Sequence, residues 1–221
     1  MIKLLIYDLD GTLIDSCKDI ANGVNWALKG LGFRALSEKQ ISSFVGKGVR
    51  NLMQMVLQES SQRKEKPDEK LLERAIKLYR NHYQHHLLDK TKLFPSVREV
   101  LEHFKGRKQA VITNKPEDFS RQILNGLGIA SYFFCVIGGD RTFPKKPSPE
   151  PVLEIMKLAR ALPSETVLVG DSDIDVQTGK NAGIKTIAVT YGFGSHQEIR
   201  HSNPDLILDD LQELIGCTDL L

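Results

Sequence analysis

From residue 91 onward the chain alternates short apolar runs with amphipathic helical segments, and few architectures tolerate that alternation. "QAVIT", "FFCVIGG", "TVLVGD", "KTIAVT" and "PDLIL" read as strands. Between them, "PEDFSRQILNGLG", "SPEPVLEIMKLARAL" and "SDIDVQTGKNAG" read as helices, and "VREVLEHF" precedes the first strand with Ser96 and Glu99 in capping spacing. Strands that are apolar throughout need cover on both faces, and strands joined through helices run parallel. The predicted fold is therefore α/β, a Rossmann-like parallel sheet with helices on both faces. The opening stretch "IKLLIYDLDGTLID" adds one more strand: five of the six residues in "IKLLIY" are apolar or aromatic, and Asp-Gly ends the run.

Residues 16–87 interrupt this unit directly after its first strand with helical periodicity alone. "DSCKDIANGVNWALKGLG" starts with Ser16 and Asp19 in capping-box spacing and carries Ile20, Val24, Leu28 and Leu31 on one face. A second capping box at Ser37 and Gln40 precedes a Gly-Lys-Gly break, "QRKEKPDEK" reads as a charged joint, and "DEKLLERAIKLYRNHYQHHLL" continues as a helix with Leu72, Ala75, Ile76 and Tyr79 aligned. The expected organisation is a core of residues 1–15 and 88–221 and an all-helical cap of residues 16–87. Asp15, Ser16 and residues 87–91 are the expected hinges, and Trp26 is the expected cap-core aromatic.

A net charge of +2, from 30 basic and 28 acidic residues, provides no large basic field, so neither nucleic acid nor a membrane is expected as a partner. A small anionic metabolite is compatible with that charge, and the chain is expected to act as a monomer or homodimer. Cys17, Cys135 and Cys217 lack the spacing of a zinc or redox motif, no run approaches the roughly 18 apolar residues of a membrane span, and no leader pattern opens the chain. The expected location is the cytoplasm.

The polar residues at the strand ends carry the chemistry. Alternation along a strand puts Asp8 and Asp10 on one face, where two like charges require a cation between them or a shared proton. Thr113 and Asn114 follow "QAVI", Lys146 lies in "KKPSP" after the next strand, and Asp171 and Asp175 lie in "VLVGDSDID". In an open parallel sheet all these strand ends share one edge, where ligands bind. Carboxylates for a hard divalent metal, a lysine for phosphate oxygens, and hydroxyl and amide donors together suit a phosphate ester.

These motifs, "DLDGTL", "ITN", "KKPSP" and "GDSDID", resemble in kind and order those of the haloacid dehalogenase superfamily of phosphatases, and the helical insert resembles the cap of its phosphoglycolate-phosphatase-like branch. The resemblance implies Asp8 as the nucleophile forming an aspartyl-phosphate and Asp10 as the general acid and base. It implies Thr113, Asn114 and Lys146 as phosphate ligands. Mg²⁺ would be held by the Asp8 side chain, the Asp10 backbone carbonyl and Asp171, with Asp175 holding metal-bound water or orienting Lys146. An acid two residues after the nucleophile suits an ester leaving group and is missing from the dehalogenases. Mutases of the superfamily often place glutamate before the fourth-motif aspartate, where this chain has Gly170. The expected activity is hydrolysis of small phosphomonoesters, phosphoglycolate foremost. A phosphosugar mutase, a pyrophosphatase and a non-enzymatic receiver-like phospho-switch are the alternatives.

In "FVGKGVRNL" the resemblance implies that Lys47 or Arg50 reads a substrate carboxylate, whereas residues of these types on a surface turn ordinarily face water or form surface pairs. Asp173 suits a helix start. His82, His85 and His86 are expected to be a solvated helix face rather than a metal cluster.

Overall fold

The computed structural model describes residues 1–62, 65–141 and 144–217. Arg63 and Lys64, within the charged joint, lie outside the described residues. The chain forms two compact units, one of Met1–Asp15 with Lys92–Leu221 and the other of Ser16–Thr91.

Among the described residues, eight strands belong to the first unit: β1 (Leu4–Tyr7), β2 (Ile14–Asp15), β3 (Lys92–Leu93), β4 (Lys108–Ile112), β5 (Cys135–Ile137), β6 (Thr166–Gly170), β7 (Lys185–Val189) and β8 (Leu206–Leu208). Six of them form one parallel sheet in the order β5-β4-β1-β6-β7-β8. The chain steps outward from β1 first toward β5 and then, from β6, toward β8. That reversal opens a crevice at the carboxyl ends of β1, β4 and β6. β2 and β3 form a separate antiparallel ribbon, Ile14 opposite Leu93 and Asp15 opposite Lys92. Two-residue strands carry no periodic signal, so this ribbon was not legible in the sequence.

Among the described residues there are also ten α-helices. α1 (Cys17–Gly30), α2 (Glu38–Ser42), α3 (Val49–Ser61) and α4 (Glu69–Tyr83) make up the second unit, and α5 (Val97–His103), α6 (Glu117–Gly126), α7 (Glu150–Ala159), α8 (Asp173–Ala182), α9 (His196–Ser202) and α10 (Leu214–Cys217) belong to the first. Strand alternation decides what α7 covers. Leu4 and Ile6 of β1, Ala110 and Ile112 of β4 and Leu168 of β6 pack with Val152, Ile155, Met156 and Ala159. Burial of side chains this size stabilises by roughly 1.5–3 kcal/mol each. It fixes the register that brings Tyr7 opposite both Val111 and Val169, and thus aligns the strand ends that follow.

Several local expectations are corrected. The Ser37 and Gln40 capping box forms, but Ser16 makes no side-chain cap to α1, and Ser96 takes a left-handed conformation with no cap to α5. Asp19 Oδ2 instead accepts from the Lys90 and Thr91 N–H groups and the Thr91 hydroxyl at 2.7–2.8 Å, tying α1 to the end of its unit. A three-donor tie of this kind outcompetes a single cap bond. Trp26 is not a core residue: it is 56% exposed, with its ring stacked on His82 at 4.5 Å, and His82 in turn stacks on His86. α4 ends at Tyr83, short of the Leu-Leu pair the helical reading included. Among the described residues, no helix is long and apolar enough to cross a membrane.

Candidate active site

Asp8 is the first residue beyond β1, its N–H still bonded to the Val169 carbonyl at 2.9 Å. The sheet therefore fixes its backbone while its side chain enters the crevice. Asp171 follows β6 directly, and Asp175 lies one turn later inside α8. Asp8, Asp171 and Asp175 are all buried, and each presents a carboxylate oxygen within 4.8 Å of the others.

One buried cation joins this cluster. Lys146 Nζ lies 2.6 Å from Asp175 Oδ1 and 2.8 Å from Asp8 Oδ1, with 3% of its side chain exposed. Its hydrogen bond is aligned on Asp175, and Asp8 Oδ1 has a charge contact but no aligned hydrogen bond. Asp175 Oδ2 accepts from the Ser172 N–H at 3.1 Å and the Ser172 hydroxyl at 2.6 Å, so both its oxygens serve to hold Lys146 and the start of α8.

Asp171 is seated by groups that sequence reasoning did not single out. Thr12 Oγ1 donates to its Oδ1 at 3.1 Å, and the Phe193 and Gly194 N–H groups donate to Oδ2 at 2.7 and 3.2 Å. Side chains at positions 11 and 194 would collide with it: a Cβ on Gly11, which has φ +91°, would fall 2.2 Å from Asp171 Oδ2, and one on Gly194 would fall 1.9 Å from its carbonyl oxygen. "YGFGS", with two glycines just after β7, was the available signal for this loop.

The electrostatics follow from burial. Asp8 is pushed up to about 8, by burial first and by Asp175 and Asp171 next, against the opposing pull of Lys146. Asp171 is pushed up to about 7, again by burial and then by Asp175, while the Phe193 and Gly194 N–H groups pull it down. For Lys146 burial pulls downward, but Asp175 and Asp8 more than offset it and keep the ammonium charged. Three carboxylates with one lysine are short of positive charge, and Asp8 holds an unaligned buried oxygen. A hard divalent cation held by Asp8 and Asp171 fits both facts.

The structure separates the roles expected of the paired aspartates. The ladder of β1 stops at Tyr7, so the alternation argument does not extend to Asp10, whose carboxylate is outside the three-carboxylate cluster. It is held instead by Lys115, whose Nζ lies 2.9 Å from Oδ1 and 3.1 Å from Oδ2. Sequence reasoning passed over Lys115, although a lysine immediately after "ITN" at a strand end was visible.

Thr113, buried at the end of β4, accepts the Lys115 N–H on its hydroxyl at 3.2 Å. Asn114, also buried, grips the segment that carries Lys146. Its Oδ1 accepts the Lys146 N–H at 3.0 Å and its Nδ2 donates to the Lys146 carbonyl at 3.2 Å, a two-point clasp on the backbone that carries the lysine. In the helical unit Lys47 is exposed, and the Arg50 guanidinium is engaged by Glu69 and Glu73. Arg50 thus matches the surface-pair reading of its residue type. Asp173 opens α8, as a carboxylate at a helix start favours.

The profile of the haloacid dehalogenase-like hydrolase family matches residues 5–189, which include every strand-end residue of this cluster. The chain is a haloacid dehalogenase-like hydrolase. It is 38% identical over 216 residues to a phosphoglycolate phosphatase of Vibrio parahaemolyticus, covering 97% of this chain and 95% of that one. It is 35% identical to a phosphoglycolate phosphatase of Aquifex aeolicus, covering 98% and 97%. A crystal structure described as a predicted phosphoglycolate phosphatase from Haemophilus somnus superposes with a TM-score of 0.92 at 31% identity, covering 98% of both chains. Membership in this hydrolase family argues against the non-enzymatic switch.

Proposed function

We propose that this hydrolase is a Mg²⁺-dependent phosphatase of small phosphomonoesters, with phosphoglycolate as its substrate. The observation that carries the reading is Asp8: a buried carboxylate at the sheet's switch point, touched by Lys146 and left with an unaligned oxygen. Full-length similarity to proteins named phosphoglycolate phosphatase supports the substrate.

An Asp8 oxygen attacks phosphorus while the bond from phosphorus to the alcohol oxygen breaks, and the Asp10 carboxyl gives its proton to that departing oxygen. Asp10, now a carboxylate, takes a proton from water as the water oxygen attacks the phosphorus of the aspartyl-phosphate. The bond to Asp8 breaks, inorganic phosphate leaves, and both aspartates return to their starting states. Lys146 meets the phosphoryl oxygens and reduces their repulsion of Asp8, and Thr113 offers its hydroxyl at the same edge. Asp8, Asp171 and the Asp10 carbonyl are the ligands proposed for Mg²⁺, which when bound neutralises phosphoryl charge. A mutase is disfavoured by position 170, where a Cβ would lie 2.2 Å from the Asp175 Cβ and leave no room for glutamate. The three free cysteines are consistent with a cytoplasmic enzyme.

The test is phosphate release under Mg²⁺ across a panel of cellular phosphomonoesters. Phosphoglycolate is expected to give the highest kcat/KM. Isomerised sugar phosphate without free phosphate would overturn the reading.

Magnesium binding should depend steeply on pH, because the metal takes deprotonated carboxylates and must displace protons from Asp8 and Asp171 below about 7–8. Its apparent affinity is expected to rise about 10- to 100-fold per pH unit up to about pH 8 and then level off. The sign for the metal-free protein is opposite. Both folded-state values lie above those of an unfolded carboxylate, so the folded chain binds extra protons, and stability falls as pH rises from about 4 toward 8. Thermal melts with and without Mg²⁺ across this range check both slopes. A metal-induced rise in Tm that is independent of pH would contradict them.

A further inference from the structure

Lys115 is the second buried cation of the crevice, and the catalytic scheme above leaves it without a task. Its side chain is 5% exposed and that of Asp10 is 10% exposed. The single ammonium spans both Asp10 oxygens, at 2.9 and 3.1 Å, which fixes the plane of the carboxylate as well as its position.

The lysine is itself well anchored. Its N–H is bonded to the Thr113 hydroxyl and its carbonyl accepts the Gly139 N–H at 2.9 Å, while Pro116 and the start of α6 follow directly. Asp10, by contrast, stands in the turn beyond the β1 ladder, where a single bridge to Ile14 fixes its backbone and the Lys115 ammonium holds its carboxylate. A residue that must meet a departing oxygen needs such a fixed direction, since small misplacements are costly in proton transfer.

We propose that Lys115 is a positioning residue that acts on phosphoryl transfer through Asp10, without touching the phosphoryl group or the far end of the substrate. It aims the carboxyl at the departing oxygen. As the proton passes to that oxygen, the carboxylate left behind meets a charge already in place, and Lys115 keeps its own three protons throughout. The inference rests on the reading of Asp10 as the general acid.

The test compares wild type, Asp10→Asn, Lys115→Met, Lys115→Arg and Asp10→Asn/Lys115→Met on three substrates, using kcat/KM because it reports the step that forms the aspartyl-phosphate. Phosphoglycolate and ethyl phosphate have alkyl leaving groups that need a proton, and p-nitrophenyl phosphate has one that leaves without it. Lys115→Met is expected to lower kcat/KM about 10²-fold on both alkyl substrates and less than about 3-fold on p-nitrophenyl phosphate, following Asp10→Asn in pattern. The double variant is expected to be no slower than Asp10→Asn, and Lys115→Arg to recover part of the loss.

Because the alkyl-to-aryl ratio is taken within one preparation, partial misfolding of a variant cancels. Equal losses on all three substrates would overturn the proposal, as would a loss on phosphoglycolate alone, which means contact with the substrate carboxylate. Additive losses in the double variant would overturn it too. If Asp10→Asn spares the alkyl substrates, the acid reading itself fails. If Asp10→Asn slows them and Lys115→Met does not, only the role of Lys115 fails.

Discussion

Asp8→Asn is expected to abolish phosphate release, a loss of roughly 10⁴-fold or more, while the protein remains folded. Asparagine keeps the shape of the side chain but offers phosphorus an amide, which does not form a hydrolysable phosphoryl ester. Stability should not suffer in the metal-free protein. Asp8 is pushed up to about 8, so near neutrality its burial as an anion is already opposed, and the neutral amide removes that conflict. What should disappear with the charge is the Mg²⁺-induced rise in Tm, since one of the proposed metal ligands has gone. Assays of released phosphate, with melts in the presence and absence of metal, separate these effects.

Lys146→Met is expected to combine a large loss of activity with a loss of stability. The ammonium sits within 2.6 Å of Asp175 and 2.8 Å of Asp8, and all three side chains are buried. Removing one partner of a buried pair leaves the other charge uncompensated, typically at a cost of roughly 3–5 kcal/mol. For a chain of this size that is about 10 °C in Tm. Turnover should fall by roughly 10³-fold, as for other lost electrostatic stabilisers of a transition state. Arginine should not restore it, because a guanidinium is wider and its planar fork does not present one point charge to two carboxylates. The magnitude of the stability loss should shrink as pH falls below about 8, where Asp8 takes up a proton. Denaturant midpoints and phosphate release for the two variants test this, and a Lys146→Met protein with normal turnover would contradict it.

What the sequence made legible, and what it did not, divides along physical lines. The sheet was legible because its strands contain short apolar runs, as in "LLIY" and "VLVG", and because such runs require helical cover. Asp8, Lys146, Asp171 and Asp175 were legible because strand ends in a parallel sheet share an edge, and the structure brings these four together. Long-range contacts within loops were not. Nothing in "ITNKP" says that Lys115 reaches back to Asp10, 105 residues earlier, or that Asn114 clasps the backbone of Lys146. The donors from Phe193 and Gly194 to Asp171 are backbone groups, which residue type does not reveal. Capping motifs failed at Ser16 and Ser96, where local geometry and a competing long-range tie at Asp19 decided the outcome.

The most direct measurement is a rapid acid quench of the enzyme during turnover of a ³²P-labelled phosphomonoester, followed by peptide mapping. The account predicts acid-stable label on the peptide containing Asp8, formed and lost fast enough to lie on the path, longer-lived in Asp10→Asn and missing in Asp8→Asn. Full turnover with no label on the chain at any time, or with label on a different residue, would contradict it.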